Sequence, residues 1–250
     1  MTLKDKFLRL VGEANAGQIE YFIRPEHGKK WGGAFNGQSF RRQIFQELVA
    51  SFSFDAIIET GTYRGVTTKY MAETRLPLHT VEANMRYLSY ARMNIRGVDE
   101  KVRTYHSDSR SFLRRLGIQG TVGGTRPFVY LDAHWHDDLP LREELEIVQE
   151  YWPDAVVMID DFAVPDTGYG YDDYGCGKTL NLEYLAPLAP TSLQAFFPAV
   201  SEAGETGCRR GSVVLAGGES AEQLRQIESL RFYVAINDVK CKDAPTSRAA

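Results

Sequence analysis

The sequence predicts an α/β fold: a doubly wound, mostly parallel sheet, with a helical extension before it and an antiparallel hairpin strand closing it. Three observations predict this. From Phe54 onward, short β-branched or aromatic runs alternate with helical patterns. Each of the first five runs carries an acidic residue at or just beyond its end, and after Asp161 the alternation stops.

Taken in order, residues 1–53 carry apolar side chains at helical spacing (Phe40, Ile44, Phe45, Leu48, Val49, Phe52), which predicts helices forming an extension or lid. Between them "YFIRPEHGKKWGGAFNGQ" is too Gly-rich for a regular element. The main domain is expected over 54–236. In it "FDAIIE", "LHTVEA", "KVRTYHS", "PFVYLDA" and "DAVVMID" read as strands. The segments between them, "TTKYMAETR", "MRYLSYARMNIRG", "SRSFLRRLG" and "LREELEIVQEYW", read as crossover helices. Helical crossovers make successive strands parallel and cover both faces of the sheet, a Rossmann-like arrangement. The stretch "AVPDTGYGYDDYGCGK" reads as an irregular loop, followed by a short helix around Thr179 to Leu185. "SLQAFFPAV" and "GSVVLAG" flank a polar turn and predict the closing hairpin, while 237–250 reads as a flexible tail.

The chain has 250 residues, a formal net charge of -4, 43% hydrophobic and 25% charged residues, which is globular usage. The acidic balance disfavours nucleic acid, and no apolar run approaches membrane-spanning length. A small molecule, and not nucleic acid, is the expected partner. Cys176, Cys208 and Cys241 lie far apart without a Cys-x-x-Cys, so neither a zinc ribbon nor a disulfide framework is indicated. "MTLKDKFLRLVGEANAG" lacks the features of a secretory signal, and a cytoplasmic setting is expected.

In an open parallel sheet, ligands bind beyond the carboxyl ends of the strands. The five ends here carry Glu59, Glu82, Asp108, Asp132 and Asp160 with Asp161. One such acid is usually a helix cap or a solvated end. Five in succession point to a ligand. The first strand runs into "ETGTYRG", where Gly61 and Gly65 permit close backbone approach and a helix N-terminus near Val66 offers amides to an anion. The acid before that turn suits a ligand carrying both an ammonium and a carboxylate. Glu82 lies 21 residues beyond Gly61, the position from which a carboxylate accepts from ribose hydroxyls. Asp108 in "HSDSRSF" is placed to accept from an adenine amino group and to cap the helix beginning at Ser109.

In the order and spacing of these motifs the sequence resembles the class I S-adenosylmethionine-dependent methyltransferases, over roughly Phe54 to Asp161 and more loosely to Gly217. The resemblance implies S-adenosyl-L-methionine as cofactor. Glu59, Gly61, Thr62, Tyr63 and Gly65 would then surround its methionine part, Glu82 and Ala83 its ribose, and Asp108 and Ser109 its adenine, with Asp132 near the methyl group.

Asp132 is followed 28 residues later by Asp160 and Asp161, and both strand ends open on the same rim. Three converging carboxylates repel unless a cation neutralises them, and all-oxygen ligation favours Mg2+, Mn2+ or Ca2+. This looks like the divalent-metal-dependent O-methyltransferases, of the catechol and sugar or natural-product types, in which an acid after the fourth strand and an acidic or amide pair after the fifth hold magnesium. Asp132, Asp160 and Asp161 match those positions. Where the catechol enzymes carry a lysine base, three residues after the first ligand, this chain has Trp135. His136 and His134 are the replacements at hand, His136 preferred, because imidazole titrates near working pH.

Two rival readings stand beside this one: a non-catalytic S-adenosylmethionine-binding scaffold, and a non-haem iron oxygenase using His136-Asp137-Asp138. The second conflicts with the α/β rhythm, since the common oxygenases are jelly rolls. The acceptor is expected under the 163–178 loop, with Tyr169, Tyr171 and Tyr174, and under Tyr21, Phe22, Trp31 and Phe35. An oligomer using the N-terminal helices is a further expectation from the likeness.

Overall fold

The computed structural model describes residues 10–98, 100–134, 138–188 and 192–239. The five expected strands form: β1 (Ile57–Thr60), β2 (Leu78–Glu82), β3 (Val102–His106), β4 (Phe128–Leu131) and β5 (Val156–Asp160). They run parallel in the order β3-β2-β1-β4-β5. Three more strands continue the sheet: β6 (Gln194–Pro198), β7 (Ser212–Ala216) and β8 (Leu230–Ala235). Here the order is β5-β7-β6-β8 and every pairing is antiparallel. The expected hairpin is therefore β6 and β7, with β7 inserted next to β5. β8 was not anticipated. It is an edge strand whose residues after Leu230 are partly or fully exposed.

Alternation along each strand explains the two-sided core. In β5, Val157 and Ile159 face one side, while Val156 and Met158 face the other. The first side is covered by α5 (Ser109–Ile118) and α6 (Leu141–Tyr151), through residues such as Phe112, Leu116, Leu145 and Val148. The second is covered by α2 (Ser39–Ser51), which buries Ile44, Phe45 and Leu48. Thus α2 belongs to the core itself. The remaining helices are α1 (Glu13–Ile23), α3 (Val66–Met71), α4 (Met85–Asn94), α7 (Leu182–Leu185) and α8 (Gly218–Leu224). The Gly-rich stretch between α1 and α2 forms 3-10 turns over Pro25–Gly32 and Ala34–Gly37.

Helix α1 lies along α4 because Gly17 lets it approach: a Cβ there would stand 2.1 Å from the Arg86 carbonyl oxygen. Glu20 anchors the contact, accepting from His27, Arg64 and Arg86. Desolvation alone would raise the Glu20 pKa, but hydrogen bonds from His27 and Arg64 and the charges of Arg64 and Arg86 lower it to about 2. Arg64, in the loop after β1, is buried and lies 4.5 Å and 4.8 Å over the rings of Tyr63 and Tyr87. Among the described residues no helix is long and apolar enough to cross a membrane.

Candidate active site

At the carboxyl ends of the parallel strands lies a cavity of about 960 Å³. One lobe is bordered by Gly61, Thr62 and Tyr63 after β1 and by Glu82 and Ala83 at the end of β2. Asp108 and Ser109 after β3 complete it, all as expected. Gly61 has a φ of 88°, and a Cβ there would stand 2.1 Å from the carbonyl oxygen of Asp132. The close approach that requires glycine is therefore to the chain leaving β4, and it brings the β1 turn against Asp132. Glu82 accepts from the Tyr63 and Asn84 amides, each at 2.8 Å, and burial raises its pKa. Asp108 caps α5 by accepting from the Ser111 amide at 2.9 Å while still bordering the cavity. Its two expected roles are compatible.

Two expectations need correction. Glu59 is not among the cavity walls: it is buried in β1, where it accepts from Thr68 at 2.5 Å and Thr80 at 2.6 Å. Desolvation raises its pKa to about 7, as it does for Glu144 on α6. Gly65 does not border the cavity either. Its φ of 73° caps α3, and a Cβ there would press to 3.1 Å from the Ala91 Cβ.

The second lobe gathers Asp132, His134 and Asp161, which offer ligand atoms all within 4.8 Å of one another. Asp132 keeps 32% of its side chain open, yet desolvation and the Asp161 carboxylate push its pKa well up. His134 is 3% exposed, and neither ring nitrogen has a hydrogen-bond partner among the described residues. Burial lowers its pKa against the opposing charges of Asp161 and Asp172. His136 and Trp135 lie outside the described residues.

Asp160, expected as a metal ligand with Asp161, has been drawn away from this group. It is 1% exposed and paired with Arg41 of α2. Its Oδ2 accepts from the Tyr130 hydroxyl at 2.6 Å and from Asn36 at 3.2 Å. Its Oδ1 also accepts the Asp161 amide at 2.7 Å, and Asp161 takes a left-handed φ of 51°. That bend separates the two carboxylates: Asp160 turns toward the extension and Asp161 toward the cavity.

Arg210 donates to Asp161 Oδ1 at 2.8 Å and also pairs with Asp172. The sequence reading missed Arg210, although a signal existed. It precedes β7, and because β7 is antiparallel to β5, with Ser212 opposite Asp160, the start of β7 lies at the same rim. Around this lobe Asp132, Asp161 and Asp172 face the single guanidinium of Arg210, while Asp160 is balanced by Arg41. These acids outnumber the guanidinium that pairs with them, and beside them lies a buried imidazole without a hydrogen-bond partner among the described residues. Ligands about 2.1 Å from a shared ion lie roughly 3–4 Å apart, so the three groups must draw closer together to hold one. The residues fit a divalent cation.

The outer wall comes from two loops. Between β5 and α7, Asp172 donates its amide to the Asp161 carbonyl at 2.9 Å, and Gly170 exchanges bonds with Arg209 and Gly211. Tyr174 reaches Asp172 at 2.8 Å and the His134 carbonyl at 3.0 Å. Of the expected tyrosines, Tyr174 borders the cavity, Tyr169 is buried and Tyr171 is exposed. From the extension come Lys30, Trp31 and Asn36. Phe35 lies in the core, and Tyr21 packs on Phe22 and Tyr90 away from the walls.

No family model and no curated protein matches the chain. Among solved structures it is similar to an O-methyltransferase from Bacillus cereus in complex with SAH, with a TM-score of 0.50 and 17% identity over 71% of this chain and 81% of that one. This is the class I methyltransferase fold. Further off are the methyltransferase domain of bacterial CtHen1 (0.49, 13%, 71% and 100%) and precorrin 8w decarboxylase from Methanobacterium thermoautotrophicum (0.44, 14%, 71% and 89%). At such identities the class I likeness is one of fold, and what the two lobes hold must be argued from their residues. The doubly wound sheet also removes the jelly-roll oxygenase.

Proposed function

We propose that the chain is an S-adenosylmethionine-dependent O-methyltransferase acting on a small molecule with vicinal hydroxyls, such as a sugar, a polyketide-type natural product or a catechol-like ring. A divalent cation serves the acceptor. The observation that carries the reading is one cavity joining a lobe with Gly61, Glu82 and Asp108 to a lobe where Asp132, His134 and Asp161 converge. S-adenosylmethionine supplies an electrophilic methyl group, and a bound cation lowers the pKa of the hydroxyl to be methylated.

The chain's own residues do the rest. Glu82, held by two backbone amides, accepts from ribose hydroxyls with its remaining lone pairs, and Asp108 with Ser109 borders the adenine. Gly61 keeps the β1 turn against Asp132, so the methyl donor and the acceptor meet at one point. Asp132 and Asp161 fix the acceptor oxygens, with Trp31 and Tyr174 as flat walls for a ring. A carbon–oxygen bond forms as the carbon–sulfur bond breaks, leaving a neutral thioether, and the hydroxyl proton passes to a base. His136 is the preferred base on sequence grounds.

Titration of S-adenosylmethionine into the full chain by calorimetry, with chelator and then with cation and a panel of vicinal diols, tests this. Expected are cofactor binding in both conditions and diol binding only with cation. Absence of cofactor binding in every condition would refute the proposal.

A further inference from the structure

We propose that His134, and not Asp160, is the third protein ligand of the cation, making an Asp132–His134–Asp161 site that prefers a borderline divalent ion such as manganese or cobalt to magnesium. The inference rests on the cation of the preceding reading and concerns which residues hold it.

Three observations carry it. Asp160 has no oxygen to spare: Arg41, Tyr130, Asn36 and the Asp161 amide occupy it, inside the protein. His134 is in the opposite condition. A ring with two polar nitrogens, 3% exposed and without a partner for either among the described residues, is costly to bury unless a ligand or ion receives one of them. Its Nε2 lies 4.0 Å from Asp132 Oδ1, and the residue borders the cavity.

A general base explains this less well. Imidazoles that transfer protons are usually held in one tautomer by a bond to the second nitrogen, and here that bond is missing. A cation between the three groups satisfies one nitrogen and both carboxylates together. The His134 backbone also lies against the loop wall, its carbonyl 3.0 Å from the Tyr174 hydroxyl, whose proton it shares with Asp172.

The donor set then decides the metal. Carboxylates alone suit magnesium and calcium, whereas an imidazole nitrogen shifts preference toward transition ions and costs magnesium the oxygen donor it favours. Asp132 and Asp161 remain hard donors, so manganese and cobalt fit both halves of the set.

Electron paramagnetic resonance of the full chain loaded with Mn2+ tests this, using spin-echo modulation to detect ligating nitrogen. Expected is histidine nitrogen modulation that is lost in His134→Gln, together with at least about a ten-fold loss of Mn2+ affinity. An about hundred-fold excess of Mg2+ should leave most Mn2+ bound. Labelling wild-type histidines with 15N gives the same answer without a variant, should His134→Gln fold poorly. Mn2+ bound without nitrogen coupling, coupling that survives in folded His134→Gln, or ready displacement by equal Mg2+ would each overturn the inference while leaving a cation-assisted methyltransferase standing. If no cation binds, both this inference and the cation of the proposed function fail, and cofactor titration still reports separately on methyl transfer.

Discussion

Arg41 and Asp160 face each other wholly inside the protein, each 1% exposed, joining the helix that precedes the sheet to the carboxyl end of β5. Arg41 also donates to the carbonyl oxygens of Arg210 and Gly211. One guanidinium thus ties the extension to β5 and to the segment carrying Arg210. Removing one partner of a buried pair leaves an uncompensated charge, at a cost of about 3–5 kcal/mol. Arg41→Met and Asp160→Asn should each lower the urea midpoint substantially, and the double variant should lose less than the sum. Strict additivity would show that the two are not coupled.

Cofactor and cation sites should separate by mutation. Glu82→Ala should weaken S-adenosylmethionine by at least about ten-fold, since a hydrogen bond to a charged group contributes about 1.5–3 kcal/mol, and should leave Mn2+ affinity nearly unchanged. Asp161→Asn should do the reverse. Calorimetry on both variants with both ligands gives the four values, and equal loss of both ligands in either variant would contradict two independent lobes.

Much of this arrangement was legible in the sequence. The five apolar runs announced the strands, and their parallel connection put all five acidic ends on one rim. Composition does not reveal how adjacent acids divide. Asp160 and Asp161 look alike in "VVMIDDF", and they part because of a left-handed residue and an arginine 119 positions away. Long-range pairing of that kind leaves no local pattern. Glu59 was misjudged for a related reason: a strand-end acid can turn into the sheet when hydroxyls such as those of Thr68 and Thr80 receive it. β8 escaped although "LRFYVA" is a mostly apolar run, because its apolar residues do not alternate with polar ones in the period of a half-buried strand.

Gly61 should tolerate no side chain. In Gly61→Ala the Cβ would meet the Asp132 carbonyl oxygen at 2.1 Å, and the left-handed φ of 88° adds strain of about 1–3 kcal/mol. Gly120 is a fair control, with a φ of 58° but nothing within 4 Å of its would-be Cβ. Gly61→Ala should be destabilised well beyond Gly120→Ala in chemical denaturation, and its cofactor binding should fall. Equal destabilisation would mean that the contact between the β1 turn and Asp132 yields easily.

Glu59 should make stability fall as pH rises through neutrality. Desolvation raises its pKa from 4.5 to about 7, with the Glu82 charge acting the same way against the hydrogen bonds from Thr68 and Thr80. A carboxyl whose pKa is higher folded than unfolded favours the folded state fully below about pH 4.5, and that contribution is lost as pH rises through about 7. At 1.36 kcal/mol per unit the loss is on the order of 3 kcal/mol. Glu144, also raised to about 7, adds a slope of the same sign. In Glu59→Gln the amide oxygen can still accept from both threonines but carries no charge. The variant should match the parent at pH 5, exceed it in urea-unfolding free energy at pH 8, and keep only the part of the slope owed to Glu144. A parent and variant with the same slope between pH 5 and 8 would mean that Glu59 is ionised in the folded protein, balanced by a cation that the threonine pair does not provide.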